Sequence, residues 1–207
     1  MKDYCEHRLD ELKRAWGNGL SAEVFRAAVV FFLLVLIFFA ACAASPALRE
    51  RLLGLVLSSV EASGAVRDDG SVAVGGIIVN NMGATALFMA YGLIPFLRLP
   101  ALPLGINAMA MGVLGAAYLA QGRSLAAFLA ALLPHGVLEV PAMLLAFGVG
   151  LFVCGQTTRR LRGDESALSV WACLVLMART LLQVLFPLLT AAALVETYVT
   201  PAIAAFF

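Results

Sequence analysis

The sequence predicts an all-α, polytopic membrane protein with about five transmembrane helices. The chain has 207 residues, of which 62% are hydrophobic and only 13% are charged, and this composition is far too apolar for a soluble domain. The apolar residues form runs of about 20 or more, the length that a helix needs to cross a hydrocarbon core of roughly 30 Å. A formal net charge of +1 offers no electrostatic footprint for nucleic acid.

The segment before the first apolar run is polar. Residues 1–25 carry charges of both signs, interleaved with Tyr4, Leu9, Leu12 and Trp16 at helix-like spacing. This pattern predicts a cytoplasmic amphipathic helix that lies on the membrane surface. A cleavable signal peptide is the competing interpretation, but the charged region is too long and too acidic for one. Residues 26–207 are then predicted to form a single transmembrane domain.

Five apolar segments are long enough to cross a membrane. The predicted spans cover residues 22–44, 76–97, 102–119, 125–153 and 168–199. Between the first two spans, residues 47–63 combine a Leu/Val stripe with charges. This segment is too short and too charged to cross, so we predict an external helix that is interfacial or docked. A turn-rich loop at residues 64–76 follows it.

Basic residues orient the spans. Lys and Arg are concentrated before the first span and directly after the fourth, and such concentrations mark cytoplasmic flanks. Because four spans separate the two groups, both groups are placed on the cytoplasmic side. The prediction is a multi-pass protein of the plasma membrane with its N-terminus inside and its C-terminus outside.

The fourth span contains the most informative polar residues. The octapeptide PHGVLEVP at residues 134–141 lies within a run that is otherwise apolar. His135 and Glu139 are four residues apart and project from one face of a helix. Ionisable groups inside a membrane are functional candidates by default. Pro134, Gly136 and Pro141 predict a kinked or broken helix, because each proline removes a backbone donor.

Polar residues in the other spans complete a candidate intramembrane cluster. They are Asn80 and Asn81 in the second span, Asn107 in the third, Arg179 in the fifth and Glu196 near its end. A rise of about 1.5 Å per residue places Arg179 level with Glu139, and Glu196 near the outer surface. An unpaired arginine at that level costs at least about 2.5 kcal/mol. We therefore expect Arg179 to pair with Glu139 or to bond near His135.

The same residues also have a structural interpretation. Membrane asparagines are more often interhelical hydrogen-bonding groups than ligands, at around 0.6 kcal/mol apiece. For His135 and Glu139 there are two comparable interpretations. The side chains form structural hydrogen bonds with the backbone groups left free by the prolines, or they serve in transport, proton relay or metal binding. The pair is a weak metal signal, because a zinc site needs at least a third protein ligand. No catalytic or phosphate-binding motif is present, so we predict no enzyme activity and no cofactor.

Small residues predict close helix packing. Ala108, Gly112 and Ala116 form a small-xxx-small stripe in the third span. Such a stripe lets backbones approach closely, and we expect the third and fourth spans to pack tightly against each other or against a second copy in a homodimer. The four cysteines follow no pairing pattern and are interpreted as small buried hydrophobic residues.

The order of the polar motifs is similar to that of a known family. The motifs are Asn-Asn at 80–81, Gly-Ile-Asn at 105–107, Pro-His-Gly-x-x-Glu at 134–139, and Ala-Ala-x-x-Glu at 192–196 followed by Pro201. Together they resemble the stage II sporulation protein M family over residues 76–201, and Pro-His-Gly-x-x-Glu is the most specific part. The resemblance implies an integral membrane anchor that holds a lytic transglycosylase and an amidase at the septum during sporulation.

Two functional hypotheses follow from the resemblance and the cluster. The first is a non-enzymatic scaffold in cell wall remodelling, with membrane lipid, peptidoglycan hydrolases or other membrane-complex subunits as its partners. The alternative is a small-solute transporter, channel or permease subunit that uses the intramembrane His/Glu/Arg cluster.

Overall fold

A computed structural model describes residues 12–62, 74–204 and 206 of the chain. Every regular element in these residues is helical, and the all-α prediction is confirmed. Residues 1–11 of the predicted amphipathic tail at 1–25 and residues 64–73 of the predicted loop at 64–76 lie outside the described residues.

The helices are numbered here in chain order. They are α1 (Ser21–Ala44), α2 (Pro46–Ala62), α3 (Val74–Ala90), α4 (Ala101–Ala120), α5 (Leu125–Leu161), α6 (Val170–Thr180), α7 (Phe186–Tyr198) and α8 (Thr200–Ala204). A π-helical turn at Trp16–Leu20 precedes α1, and another at Leu181–Leu185 joins α6 to α7. The first of these turns is kinked, because Gly19 has a φ of 111°.

Five segments are long and apolar enough to cross a membrane. They are Leu12–Ala44, Val74–Leu93, Ala101–Ala120, Leu125–Leu161 and Val170–Tyr198. The five predicted spans are therefore confirmed. The first begins ten residues before its predicted start. The fourth ends eight residues past its predicted end, because α5 contains 37 residues, a length of about 55 Å at 1.5 Å per residue.

Of the kinked or broken helix predicted for the fourth span, the break is wrong and the kink stays a prediction. Helix α5 is continuous through Pro134, Gly136 and Pro141. Each proline removes only its own backbone donor, and transmembrane helices tolerate such gaps where neighbouring groups satisfy the freed carbonyls. The second span, in contrast, ends three residues or more before its predicted end at residue 97. There the backbone turns with positive φ at Phe96 (69°) and Arg98 (46°).

Large apolar side chains cover the outside of the helices. Leu36 of α1, Val79 of α3 and Leu182 of the second π-helical turn are 63%, 73% and 65% exposed. A soluble protein rarely presents extended apolar faces to water. These faces fit the hydrocarbon core of a bilayer.

The chain forms two compact units, each assembled from three chain segments. Unit 1 comprises Met1–Val29, Met82–Leu104 and Pro141–Leu188. Unit 2 comprises Val30–Asn81, Gly105–Val140 and Leu189–Phe207. Every predicted span contributes residues to both units. A single transmembrane domain over 26–207 stays a prediction.

Unit 1 is held by close contact between α5 and the end of the second span. Phe88 and Phe147 stack with their ring centroids 4.6 Å apart. Gly92 and Gly150 bring the two backbones together, and a Cβ on Gly92 would overlap the Gly150 carbonyl. The positive-φ turn is anchored beside them, because the Phe96 N–H donates to Thr158 Oγ1 at 2.9 Å and Arg98 pairs with Glu23 at 3.1 Å.

Unit 2 contains the small-residue stripe, which packs inside the chain. Ala108 and Ala116 are buried, and a Cβ on Gly112 would lie 2.6 Å from the Val35 carbonyl oxygen of α1. At Gly112 the stripe therefore packs against the first span, which was not predicted. The expected contact between the third and fourth spans is made beside it, where the Tyr118 and Phe128 rings lie 5.3 Å apart. The homodimer itself stays a prediction, but the face of Gly112 is covered by the first span of the same chain and is not free to form a dimer contact.

Helix α2 docks on the same part of unit 2. Leu52 and Leu53 pack against the buried cluster of Cys42, Val113 and Ala116. Of the two alternatives for the external segment, the docked helix is the one observed. Cys42, Cys154 and Cys173 are buried, as predicted for small hydrophobic residues, and Cys5 lies outside the described residues.

Candidate functional site

Polar side chains from α3 and α5 meet in unit 2. The Asn81 Nδ2 donates a hydrogen bond of 3.1 Å to Glu139 Oε1, joining residues 58 apart in the chain. Asn80 Nδ2 reaches Asn81 Oδ1 at 3.4 Å, and its own side chain is exposed. The double asparagine therefore has two different roles, since Asn81 contacts the carboxylate and Asn80 contacts Asn81.

A second hydrogen bond joins α5 to α8. His135 Nδ1 lies 3.2 Å from Thr200 Oγ1, and the Thr200 hydroxyl also lies within donating distance of the Val195 carbonyl, at 3.2 Å. A hydroxyl has one proton. Both bonds form together only if Thr200 donates to Val195 and accepts from a protonated Nδ1. In neutral His135 this tautomer leaves Nε2 with a free lone pair.

Glu196 of α7 links the two hydrogen-bonded pairs. It interacts electrostatically with both His135 and Glu139. The depth calculated from the sequence had placed Glu196 near the outer surface and separated it from these residues. The depth of Glu196 stays a prediction, and it agrees with these interactions, because the centre of α5 lies at Met143 rather than at Glu139 when the helix ends at Leu161. His135 is therefore farther from the middle of its helix than the shorter span implied.

The polar cluster of unit 2 is defined here as Asn81, His135, Glu139, Glu196 and Thr200. Thr200 was missed by the sequence analysis. The sequence feature that could have indicated Thr200 is its position directly before Pro201, within the terminal motif that also contains Glu196. A threonine in an apolar run is not an obvious candidate for a functional residue. Its hydroxyl can nevertheless form a hydrogen bond with an imidazole as well as an amide can.

Three predicted members fall outside this cluster as defined, namely Asn80, Asn107 and Arg179. Asn107 is a half-buried residue of α4 in unit 2. Arg179 belongs to unit 1, whereas Glu139 belongs to unit 2, and the pairing of these two residues stays a prediction. The observed hydrogen-bond donor to Glu139 is Asn81.

The chemistry available to the cluster is that of two carboxylates and an imidazole in an apolar setting. Glu139 and Glu196 repel each other when both are charged, and the repulsion is strong where water is scarce. A proton or a cation relieves that repulsion. Within the described part of the chain, no three His, Cys, Asp or Glu side chains are arranged to hold a metal ion.

These features define the class of protein. Five spans, lipid-compatible outer faces and a polar cluster between helices describe a polytopic helical membrane protein. The chain belongs to the family described as Stage II sporulation protein M, whose family model matches residues 27–201. The match confirms the resemblance found in the motifs and extends it through the first span. A search of curated proteins found no match, and a search of solved structures found none either.

Proposed function

We propose that this protein is a non-enzymatic membrane scaffold that holds cell-wall hydrolases or other membrane-complex subunits at the plasma membrane. The observation that carries the proposal is the family match over residues 27–201. The described chain supports a membrane-embedded role, because most of its residues lie in candidate membrane spans or in helix α2, which docks on unit 2.

Helix α2 is the surface that we assign to a partner. Its inner residues Leu52 and Leu53 dock on unit 2, while Leu48 and Leu55 are 37% and 59% exposed. Leu48 and Leu55 are seven residues apart and therefore share one flank of the helix. On the orientation predicted from the basic residues, this flank lies outside the cell, where the hydrolases act.

The test uses matched substitutions on the two flanks of α2. Leu48→Ser combined with Leu55→Ser should reduce co-purification with the co-expressed lytic transglycosylase or amidase of the host. Leu57→Ser is the control, because Leu57 is 50% exposed but lies on the opposite flank. Equal recovery of the hydrolases with all three proteins would contradict the assignment of this flank of α2 to the partner. No recovery with wild type would contradict the scaffold.

The polar cluster favours a second candidate, a proton pathway. A scaffold has no need of interacting carboxylates and an imidazole inside the membrane, where such groups are costly. A pathway needs a group that accepts and releases protons, and the free Nε2 of His135 beside Glu139 and Glu196 supplies one. This candidate is the proton-coupled form of the transport hypothesis.

Liposomes containing a pH-sensitive dye test the second candidate. Wild-type protein should conduct protons faster than empty liposomes, and Glu139→Gln should abolish the flux. His135→Asn is the more specific variant. The asparagine amide can donate to Thr200 in place of Nδ1–H, so the hydrogen bond is kept while the proton-accepting Nε2 is lost. Asn80→Ala serves as the control outside the cluster. Wild-type flux no greater than that of empty liposomes would eliminate the pathway and leave the scaffold proposal untouched.

A further inference from the structure

Unit 1 contains a cavity that neither proposed function uses. Its volume is about 490 Å³, and its lining combines Arg14, Asn18, Gln156 and Arg159 with apolar residues that include Phe152 and Leu176. Small-molecule sites typically occupy about 300–1,000 Å³. The cavity therefore has the size of a ligand site and a lining with one polar and one apolar component.

Gln156 is the buried donor of this site. The residue is 8% exposed, and its Oε1 accepts a hydrogen bond of 3.0 Å from the Leu168 N–H. Its amide nitrogen donates to none of the described residues. Gln156 lines the cavity, so these two N–H groups are available to a ligand there.

Arg159 is held in place at the cavity by the turn that follows α5. Its Nε donates to Asp164 at 2.8 Å and its Nη2 donates to Ser166 at 3.0 Å. Hydrogen bonds from Ser166 and from Arg159 hold the pKa of Asp164 below its ordinary value. Asp164 is therefore charged at neutral pH and offsets the charge of Arg159.

Arg14 supplies the surplus positive charge. It makes no ion pair with the described residues, and it lies one turn before Asn18, whose amide also lines the cavity. Arg14 and Arg159 together, less the charge of Asp164, leave one positive charge. A phosphodiester carries one negative charge, and guanidinium and amide N–H groups are its usual partners.

The apolar lining restricts the ligand further. Phe152, Ala172 and Leu176 cover the part of the cavity that free phosphate would leave empty. Basic pockets between transmembrane helices on the cytoplasmic side of a membrane are suited to lipid head groups. We propose that this cavity binds the phosphodiester head group and proximal acyl chain of a phospholipid with net negative charge.

Thermal unfolding of the full-length protein in a non-ionic detergent tests the proposal, because a ligand that binds the folded state raises the unfolding temperature. The ligands are phosphatidylglycerol, phosphatidylcholine with the same acyl chains, and sodium phosphate. Phosphatidylglycerol should stabilise the wild type at concentrations at which the other two have no effect.

Three variants locate the effect. Arg14→Gln should weaken phosphatidylglycerol binding by about tenfold, the loss expected for one charged hydrogen-bonding partner. Ala172→Phe should abolish binding by filling the apolar part while keeping both arginines. Lys13→Gln is the matched control, because it removes the same charge from the neighbouring position, and it should bind as wild type does. The unfolding temperature without lipid shows whether each variant is folded.

Several outcomes would overturn the proposal. Equal stabilisation by phosphatidylcholine would remove the charge selectivity, and stabilisation by sodium phosphate alone would identify a free-phosphate site. An equal loss with Lys13→Gln would indicate diffuse attraction to a basic surface. Unchanged binding in both Arg14→Gln and Ala172→Phe would place the lipid elsewhere.

Discussion

The hydrogen bond from Asn81 to Glu139 is an amide-to-carboxylate contact between two membrane helices. We expect Asn81→Ala and Glu139→Gln to be coupled in a double-mutant cycle by about 0.6–1.7 kcal/mol, the range from the average to the largest coupling measured for interhelical hydrogen bonds in a membrane protein. The measurement is the free energy of unfolding in detergent for the wild type, the two single variants and the double variant.

Asn80 provides the control for this cycle. Its side chain is exposed and, among the described residues, donates a hydrogen bond only to Asn81, at 3.4 Å, so Asn80→Ala should show no resolvable coupling with Glu139→Gln. Additive effects in the Asn81 cycle would show that the bond contributes nothing to stability.

Asp164 gives a prediction about pH. Its pKa is lowered by the hydrogen bonds from Ser166 and Arg159, below the value of about 3.9 for an unperturbed aspartate. The folded state therefore holds the proton less tightly than the unfolded state does. The stabilisation is complete above the unfolded-state pKa and is lost as the pH falls through the folded-state pKa.

The comparison of wild type with Asp164→Asn measures this contribution. The variant should unfold at a lower temperature than the wild type at neutral pH, and the difference should shrink at acidic pH. Glu165→Gln removes the same charge from the neighbouring position, where the carboxylate makes no hydrogen bond with the described residues. A difference that persists at the lowest pH would show that the carboxylate charge is not its cause.

At the scale of the helix, the small-residue stripe of α4 gives a paired prediction. A Cβ on Gly112 would press on the Val35 carbonyl and the Phe39 backbone nitrogen, whereas a Cβ on Gly105 would meet nothing within 4 Å. Gly112→Ala should destabilise the protein by about 1–3 kcal/mol, the usual cost of overpacking. Gly105→Ala should be neutral or stabilising by up to about 1 kcal/mol, because alanine favours a helix.

The unfolding free energies of these two variants decide the point. Similar values for Gly112→Ala and Gly105→Ala would show that α4 does not approach α1 closely. The oligomeric mass should be unchanged in both variants, because the stripe is buried within one chain.

Helices were more predictable from the sequence than the contacts between them. Apolar length alone located all five spans, since crossing a bilayer fixes how many apolar residues are needed. Pro134 and Pro141 led to the wrong prediction of a broken helix. A proline shows that a backbone hydrogen-bond donor is missing, but it does not show whether neighbouring groups satisfy the freed carbonyl. The polar residues of α5 were found from their cost in a membrane, whereas Thr200 was found only from its contact with His135.

At the scale of the whole molecule, the basic residues are unevenly divided. Ten of the fourteen Lys and Arg residues belong to the segments of unit 1 and four to those of unit 2. On the positive-inside rule this division supports a cytoplasmic N-terminus. The turn at residues 162–169, after α5, would then face the cytoplasm, and the turn between α4 and α5 would face outward.

Single cysteines test this orientation in a background without native cysteine. Arg123→Cys should react with an impermeant thiol reagent in intact cells, because Arg123 is exposed in the turn between α4 and α5. Glu165→Cys should react only after the membrane is opened. The reverse pattern would invert the topology and place the exposed flank of α2 in the cytoplasm.

The contact between Gly92 and Gly150 limits how this sequence can diverge. Each position meets the main chain of the opposite segment, so no side chain at either site has an empty volume to occupy. A substitution at one glycine is not rescued by a smaller residue at the other, since glycine is already the smallest. In a saturation mutagenesis library selected for folded protein, both positions should stay glycine, and no second-site change between them should appear among the survivors.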